Sequence, residues 1–211
     1  QRLFKIAQPQ HISFSGGEPL LAERMLELVL LARMKGASVS VISNGTLATP
    51  ELLGQLRQLG VGKLQLSMHA DRALEHDRLT TVPGSWEKVR AAFLTAAACG
   101  LETSGIMVLT ALNAPRVART LALFAELGAN SILLNRFNVG GRGIAFQDEL
   151  MPDRETLKAA FATANNSVAS GGIPVHSGVC TPVCVLDPGD YPALSFGRCG
   201  ASIHTTPLTL D

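Results

Sequence analysis

The stretch His11-Ile12-Ser13-Phe14-Ser15-Gly16-Gly17-Glu18-Pro19-Leu20 passes from an extended run, through two glycines, to a Glu-Pro pair that opens a helix. Proline at a first helical position costs no hydrogen bond, and paired glycines let the backbone turn sharply and approach a ligand closely. Beyond it, Leu21, Met25, Leu28 and Ala32 recur at helical spacing up to Lys35, and Gly36 supplies the left-handed cap that returns the chain to a sheet. A plain βα-loop would use the same residues, so this turn alone does not define a site.

The same punctuation recurs at Gly60, Gly100, Gly128 and Gly171. It sets off helices over Pro19–Lys35, Pro50–Leu59, Ser85–Cys99, Ala114–Leu127 and Asp153–Ser170, supported by spacings such as Val117, Leu121, Phe124 and Leu157, Phe161, Ala164, Val168. Between them lie strand-like runs at His11–Ser15, Ser38–Ser43, Lys63–Met68, Glu102–Thr110, Ser131–Arg136 and Ile173–His176. Strict alternation of strand and helix gives right-handed βαβ units and a parallel sheet. Periodicity does not choose between an open doubly wound sheet and part of a barrel, but either binds its ligand at the C-terminal strand ends. From residue 175 the pattern breaks into turns with three of the four cysteines and no helical period. We therefore expect a division into 1–174 and a loop-rich appendage, 175–211, held by something other than an apolar core.

Composition narrows the function. The 211 residues carry 18 Lys+Arg against 17 Asp+Glu, so the electrostatic footprint of a nucleic-acid binder or a polybasic membrane binder is missing. The most apolar stretch, Met25 to Met34, contains Glu27 and Arg33 and is far short of a membrane span. Gln1 is no initiator Met, no secretory segment follows it, and the sequence stops in an extended alternation, so we expect a fragment of a longer, cytoplasmic protein. Four clustered cysteines then suggest metal or redox chemistry rather than a disulfide scaffold. No nucleophile elbow and no Walker-type loop is present.

The strand ends carry Gly16-Gly17-Glu18-Pro19, Ser43-Asn44-Gly45, Ser67-Met68-His69, Asn113 and Arg136-Phe137-Asn138, polar groups that converge where such folds bind ligands. With His76-Asp77-Arg78 leading into Gly84-Ser85-Trp86-Glu87, and with Asn135 through Gly143, this succession resembles the radical S-adenosylmethionine enzymes from about His11 to about Gly143. The resemblance implies a partial parallel (β/α)6 barrel lacking its first strand, with S-adenosylmethionine and a 4Fe–4S cluster as cofactors. It also implies reductive cleavage of S-adenosylmethionine to a 5′-deoxyadenosyl radical that abstracts hydrogen from substrate. Position by position, it implies that Gly16, Gly17 and Glu18 receive the cofactor's ammonium, that Ser67 meets the ribose, that Phe137 offers backbone to the adenine, and that Ser43 faces substrate or sulfonium.

One departure stands out. The family holds its cluster by Cys-x-x-x-Cys-x-x-Cys ahead of the Gly-Gly-Glu-Pro turn, and Gln1–Gln10 contains no cysteine. Residues 1–211 should therefore not bind the catalytic cluster by themselves. Cys180-Thr-Pro-Val-Cys184 repeats the first spacing only, since Asp187 stands where the third cysteine would be. Phe196-Gly-Arg-Cys-Gly-Ala-Ser202 resembles the opening of the auxiliary-cluster (SPASM or twitch) extension, with Ser202 in place of the usual glycine. This implies Cys199 as an auxiliary-cluster ligand, with Cys180 and Cys184 as further candidates. A zinc site on the Cys180–Cys184 pair would need two more ligands, and His176 is the near one. The extension points to a peptide or protein substrate, with a small molecule also open, and to an electron donor such as flavodoxin or ferredoxin. Cys99 reads as a small buried hydrophobe, His76-Asp77 as a solvated loop, and Gly140 to Gly143 as an anion cradle or a linker. Two alternatives stay open: a non-catalytic module binding an adenosyl ligand or a peptide, and an ordinary (β/α) enzyme using Glu18 or His69 as acid or base.

Overall fold

The computed structural model describes Phe4 and residues 8–179 and 181–197. Seven strands form one sheet in chain order: β1 (His11–Phe14), β2 (Ser38–Ser43), β3 (Val61–Ser67), β4 (Glu102–Leu109), β5 (Ser131–Arg136), β6 (Val175–Ser177) and β7 (Ser195–Phe196). Every neighbouring pair is parallel. Strands added in one direction through right-handed crossovers place all connecting helices on one face and leave the other concave. The architecture is α/β, with the parallel sheet that the alternation implied and the partial barrel that the family resemblance implied.

The helices are α1 (Met25–Met34), α2 (Pro50–Gln58), α3 (Ala73–Thr80), α4 (Ser85–Ala98), α5 (Val117–Glu126) and α6 (Arg154–Ala169), with a single turn at Gln147–Leu150. Local chemistry sets their starts. Thr49 accepts from the Leu52 N–H ahead of Pro50, and Asp153 accepts from the Thr156 N–H. Alternation sends Leu64, Leu66 and Met68 into the core beneath the helices and leaves Gln65, Ser67 and His69 half-buried on the opposite, concave side. The core runs through Leu53, Phe93, Met107, Phe124, Leu134 and Phe161, all below 2% exposure. At Gly105 of β4 the Phe124 ring comes so close that an added Cβ would lie 2.3 Å from it, so α5 packs on the sheet only because this residue has no side chain.

Three expectations are corrected. The helix expected over Pro19–Lys35 is a 3₁₀ turn, Pro19–Leu21, followed by an extended Ala22 and then α1. Glu18 caps that turn and ties it sideways to β2, which fixes its direction before α1 begins. Helix α3 has no counterpart in the sequence reading because its outer residue Leu74 is 81% exposed and only His76 is buried, leaving no apolar stripe to find. The stretch after residue 174 does have an apolar support. Val175 pairs with Ile132 of β5, Leu186 and Tyr191 are buried, and Tyr191 and Phe196 sit against Phe161 of α6 at ring separations of 5.9 and 5.8 Å.

Candidate cofactor site

At the end of β1, Gly16 has φ +129°, a backbone that disfavours any side chain, and beyond their chain neighbours no atom of the described residues lies within 4 Å of where a Cβ would stand at either Gly16 or Gly17. The turn is thus open to a ligand on its backbone side. Glu18 behind it is a junction. Oε1 accepts from the Leu20 N–H (3.1 Å) and from the Ser43 hydroxyl (2.8 Å), and Oε2 accepts from the Asn44 N–H (2.7 Å). Ser43, 2% exposed, also accepts from the Gly45 N–H at 2.9 Å, so both roles of its hydroxyl are taken inside the protein. A carboxylate has about four acceptor sites. Three are filled here, which leaves Glu18 about one for a ligand donor.

At the end of β3, Ser67 is half-buried and its hydroxyl has no partner among the described residues. The backbone beyond it is fastened group by group. The Met68 N–H donates to the Ile106 carbonyl (3.0 Å), the His69 N–H to His76 Nδ1 (3.0 Å), and Trp86 Nε1 to the Ala70 carbonyl (3.1 Å). Asp71 holds a two-pronged ion pair with Arg116. Asn113, 2% exposed, donates from Nδ2 to the carbonyls of His69 (2.9 Å) and Val108 (2.8 Å) and accepts from the Thr110 N–H (2.7 Å). Its side chain bridges the ends of β3 and β4.

His76 and Asp77, expected in a solvated loop, lie in α3, and His76 is 2% exposed because its ring turns inward to meet His69. Burial lowers the pKa of His76 against a weaker opposing pull from Asp77. Burial raises that of Asp77, but hydrogen bonds from the Trp86 N–H, the Gly84 N–H and the Ser85 hydroxyl outweigh it and hold the carboxyl below its usual range. Asp77 is the cap that α4 otherwise lacks. Sequence shows the pair but not the fold-back of Gly84 to Trp86 that supplies its donors.

At the end of β5, Phe137 is 8% exposed and its N–H donates to the Leu109 carbonyl at 2.9 Å, leaving the Phe137 carbonyl as the polar backbone group for a ligand, with a long contact from Arg136 Nη1 at 3.4 Å. Asn135 Oδ1 accepts from the N–H groups of Gly178 (2.9 Å) and Val179 (3.1 Å), pinning the loop after β6. Gly141 to Phe146 form a 3₁₀ turn rather than an open cradle, and Arg142 is exposed.

The cysteines divide. Cys99 packs at the margin of the core and Cys184 is an exposed free thiol. Cys180 and Cys199 lie outside the described residues. Among the described residues no three His, Cys, Asp or Glu side chains gather as a metal site. The residues present thus fit an adenosyl cofactor, through an open Gly-Gly turn, a remaining carboxylate acceptor and a free hydroxyl, and they do not fit the catalytic cluster. Nor do they fit an acid–base enzyme: Glu18 is committed to three donors, and the lone pair of His69 Nδ1 accepts from the Val108 N–H. Among the described residues no helix is long and apolar enough to cross a membrane.

Fold and site together define a partial parallel barrel with a ligand turn at its first described strand. Residues 1–124 match the Radical SAM superfamily, and the chain belongs to that family. PqqA peptide cyclase of Xanthomonas campestris pv. campestris is 32% identical over 169 residues, 80% of this chain and 45% of the relative, and that of Gluconobacter oxydans is 27% identical over 164 residues, covering 78% and 46%. The chain thus spans about half the length of the curated relatives it matches. Among solved structures, Streptococcus suis SuiB bound to precursor peptide SuiA aligns with TM-score 0.67 at 11% identity, over 81% of this chain and 38% of SuiB. Native anSMEcpe with bound AdoMet aligns with TM-score 0.64 at 19% identity, over 82% and 51%. At these identities the two structures bear on the fold alone.

Proposed function

We propose that this chain is the cofactor-binding barrel portion of a radical S-adenosylmethionine enzyme that modifies a peptide. The observation that carries the reading is the Glu18 junction: the family's Gly-Gly-Glu turn is present as an open backbone loop whose carboxylate is anchored to the next strand end with one acceptor site to spare. In this reading Gly16, Gly17 and Glu18 bind the ammonium of S-adenosylmethionine, Ser67 its ribose and the Phe137 backbone its adenine, while Ser43 and Asn44 hold Glu18 in place. When bound, S-adenosylmethionine together with a 4Fe–4S cluster held by residues other than these would supply radical hydrogen-abstraction chemistry. The chain's own part is to bind, orient and exclude water. Likeness to PqqA peptide cyclases supports a peptide substrate.

The auxiliary-cluster extension, in this reading, begins at residue 175, with Cys199 as the ligand that the stretch from Phe196 to Ser202 supplies and Cys180 and Cys184 as further candidates. The electron donor is a small low-potential protein such as flavodoxin or ferredoxin, and the setting is cytoplasmic, where thiolate ligands stay reduced. Calorimetric titration of S-adenosylmethionine into the protein tests the core of the proposal. We expect saturable binding that Ser67→Ala weakens by about tenfold, the size of one good hydrogen bond. Absence of binding in a folded, cluster-loaded protein would overturn it.

A further inference from the structure

His69 has no part in the proposal above, yet its side chain at the end of β3 is held in place. It follows Ser67 by two residues on the same concave side, roughly 7 Å along the strand. Its Nδ1 accepts from the Val108 N–H at 3.3 Å. A ring nitrogen that accepts from a backbone amide carries no proton, so the hydrogen of the neutral imidazole is on Nε2. The peptide N–H and carbonyl of His69 are both taken, by His76 and Asn113, and its ring stacks on His76 with centroids 5.7 Å apart and planes at 21°. Backbone, ring plane and tautomer are all fixed, while Nε2–H has no partner among the described residues. Burial, reinforced by the neighbouring His76, lowers the pKa of His69 to about 4, so the ring is neutral at physiological pH. On the adjoining strand end Thr110, 5% exposed, has a buried hydroxyl with no hydrogen-bond partner among the described residues. A native protein rarely leaves such a buried group open unless a ligand or water completes it.

We propose that His69 is a ligand-contacting residue, its Nε2–H donating a hydrogen bond to an oxygen acceptor of the molecule bound on the concave face, with the Thr110 hydroxyl beside it. This rests on the reading of that face as the cofactor and substrate side of a radical enzyme. The shared chemistry is an oxygen acceptor, which either the carboxylate and ribose of S-adenosylmethionine or a main-chain carbonyl of the peptide offers. With Nδ1 capped by Val108, the ring recognises an acceptor and takes up no proton from it. His76 acts through His69 and is a positioning residue.

The test is a long-range proton–nitrogen NMR spectrum of the protein labelled with ¹⁵N-histidine, titrated separately with S-adenosylmethionine and with N-acetylglycine N-methylamide as a source of peptide carbonyls. His69 is expected as the neutral Nε2–H tautomer at pH 7, and its Nε2 resonance is expected to move with one of the two. Movement with S-adenosylmethionine, with affinity weakened about tenfold in His69→Phe and largely restored in His69→Gln, assigns the acceptor to the cofactor. Movement with the amide alone, with S-adenosylmethionine affinity unchanged in His69→Phe, assigns it to the substrate. An Nδ1–H tautomer, a protonated ring at pH 7, or a resonance that neither molecule moves overturns the proposal, and the wild-type spectrum decides this even if His69→Phe does not fold. Failure of S-adenosylmethionine to bind the wild-type protein counts instead against the functional reading, and the tautomer and the amide titration then still judge His69.

Discussion

Replacing Glu18 separates its two oxygens. In Glu18→Ala the Leu20 and Asn44 N–H groups and the Ser43 hydroxyl all lose their acceptor. Hydrogen bonds to a charged acceptor contribute about 1.5–3 kcal/mol each, but Asn44 is exposed and water replaces part of what it loses, so we expect a net loss of about 3 kcal/mol. Glu18→Gln is a finer probe. An amide nitrogen in the place of Oε2 would face the Asn44 N–H, donor against donor. In the place of Oε1 it faces the Leu20 N–H as well, but there the Ser43 hydroxyl can rotate to accept. The second orientation is favoured and forfeits the cap on Leu20, a loss of about 1 kcal/mol. For a chain of this size about 1 kcal/mol moves the thermal midpoint by about 2–4 °C, so the alanine variant should melt about 6–12 °C lower and the glutamine variant about 2–4 °C lower. Calorimetric melting of the two variants beside the wild type reads this directly. Equal losses in the two variants, or an alanine variant as stable as the wild type, would refute the account of Glu18 as a junction.

Further outcomes follow from the same geometry. Gly105→Ala drives a Cβ to 2.3 Å from the Phe124 ring and should cost about 3 kcal/mol in urea unfolding, whereas Gly140→Ala, which meets nothing within 4 Å, should change stability by less than about 0.5 kcal/mol. Asn113→Ala removes three hydrogen bonds at the ends of β3 and β4 and should cost about 3 kcal/mol by the same assay, with hydrogen exchange of the Thr110 amide, which loses its acceptor, accelerated before the rest of β4. The unfolded chain protonates His69 near its ordinary 6.5 and the folded chain only near 4, so stability is present above 6.5 and is lost as pH falls from 6.5 to 4, by about 3 kcal/mol. His69→Phe should flatten that decline in denaturation measured at several pH values, and a decline of the same depth in the variant would count against it.

Much of the fold is legible because its signals are local. A glycine after every long helix but α3, and a 3.6-residue stripe within it, can be read without knowing what lies across the sheet, and the Gly-Gly-Glu-Pro turn carries both its openness and its cap within four residues. The features that escape the sequence have partners far along the chain. Asn135 shows its purpose only when Gly178 and Val179 arrive above it, and Asn113 only when β3 is beside β4. The apolar support after residue 174 escapes for another reason: Leu186, Tyr191 and Phe196 recur at intervals of five, which is neither the helix nor the strand period, yet all join the core, Tyr191 and Phe196 against Phe161. Strand β7 is two residues long, below what any periodicity detects.

The polar groups at the strand ends fall into two sets. Ser43 and Asn113, with most of Glu18, have their hydrogen-bonding capacity consumed inside the protein. The backbone of Gly16 and Gly17, the Ser67 hydroxyl, His69 Nε2–H and the Thr110 hydroxyl are open. A buried or half-buried group left open costs stability, whereas a closed one contributes to it, so the two sets answer differently to substitution. Changes in the closed set should lower the melting point and weaken ligand only as far as the strand ends shift. Changes at Ser67 should leave the melting point in place and weaken S-adenosylmethionine. Glu18 belongs to both sets, with three acceptor sites closed and about one open. It is the position where stability and affinity should fall together, and the excess of affinity lost in Glu18→Ala over Asn113→Ala, at matched loss of stability, isolates that remaining acceptor.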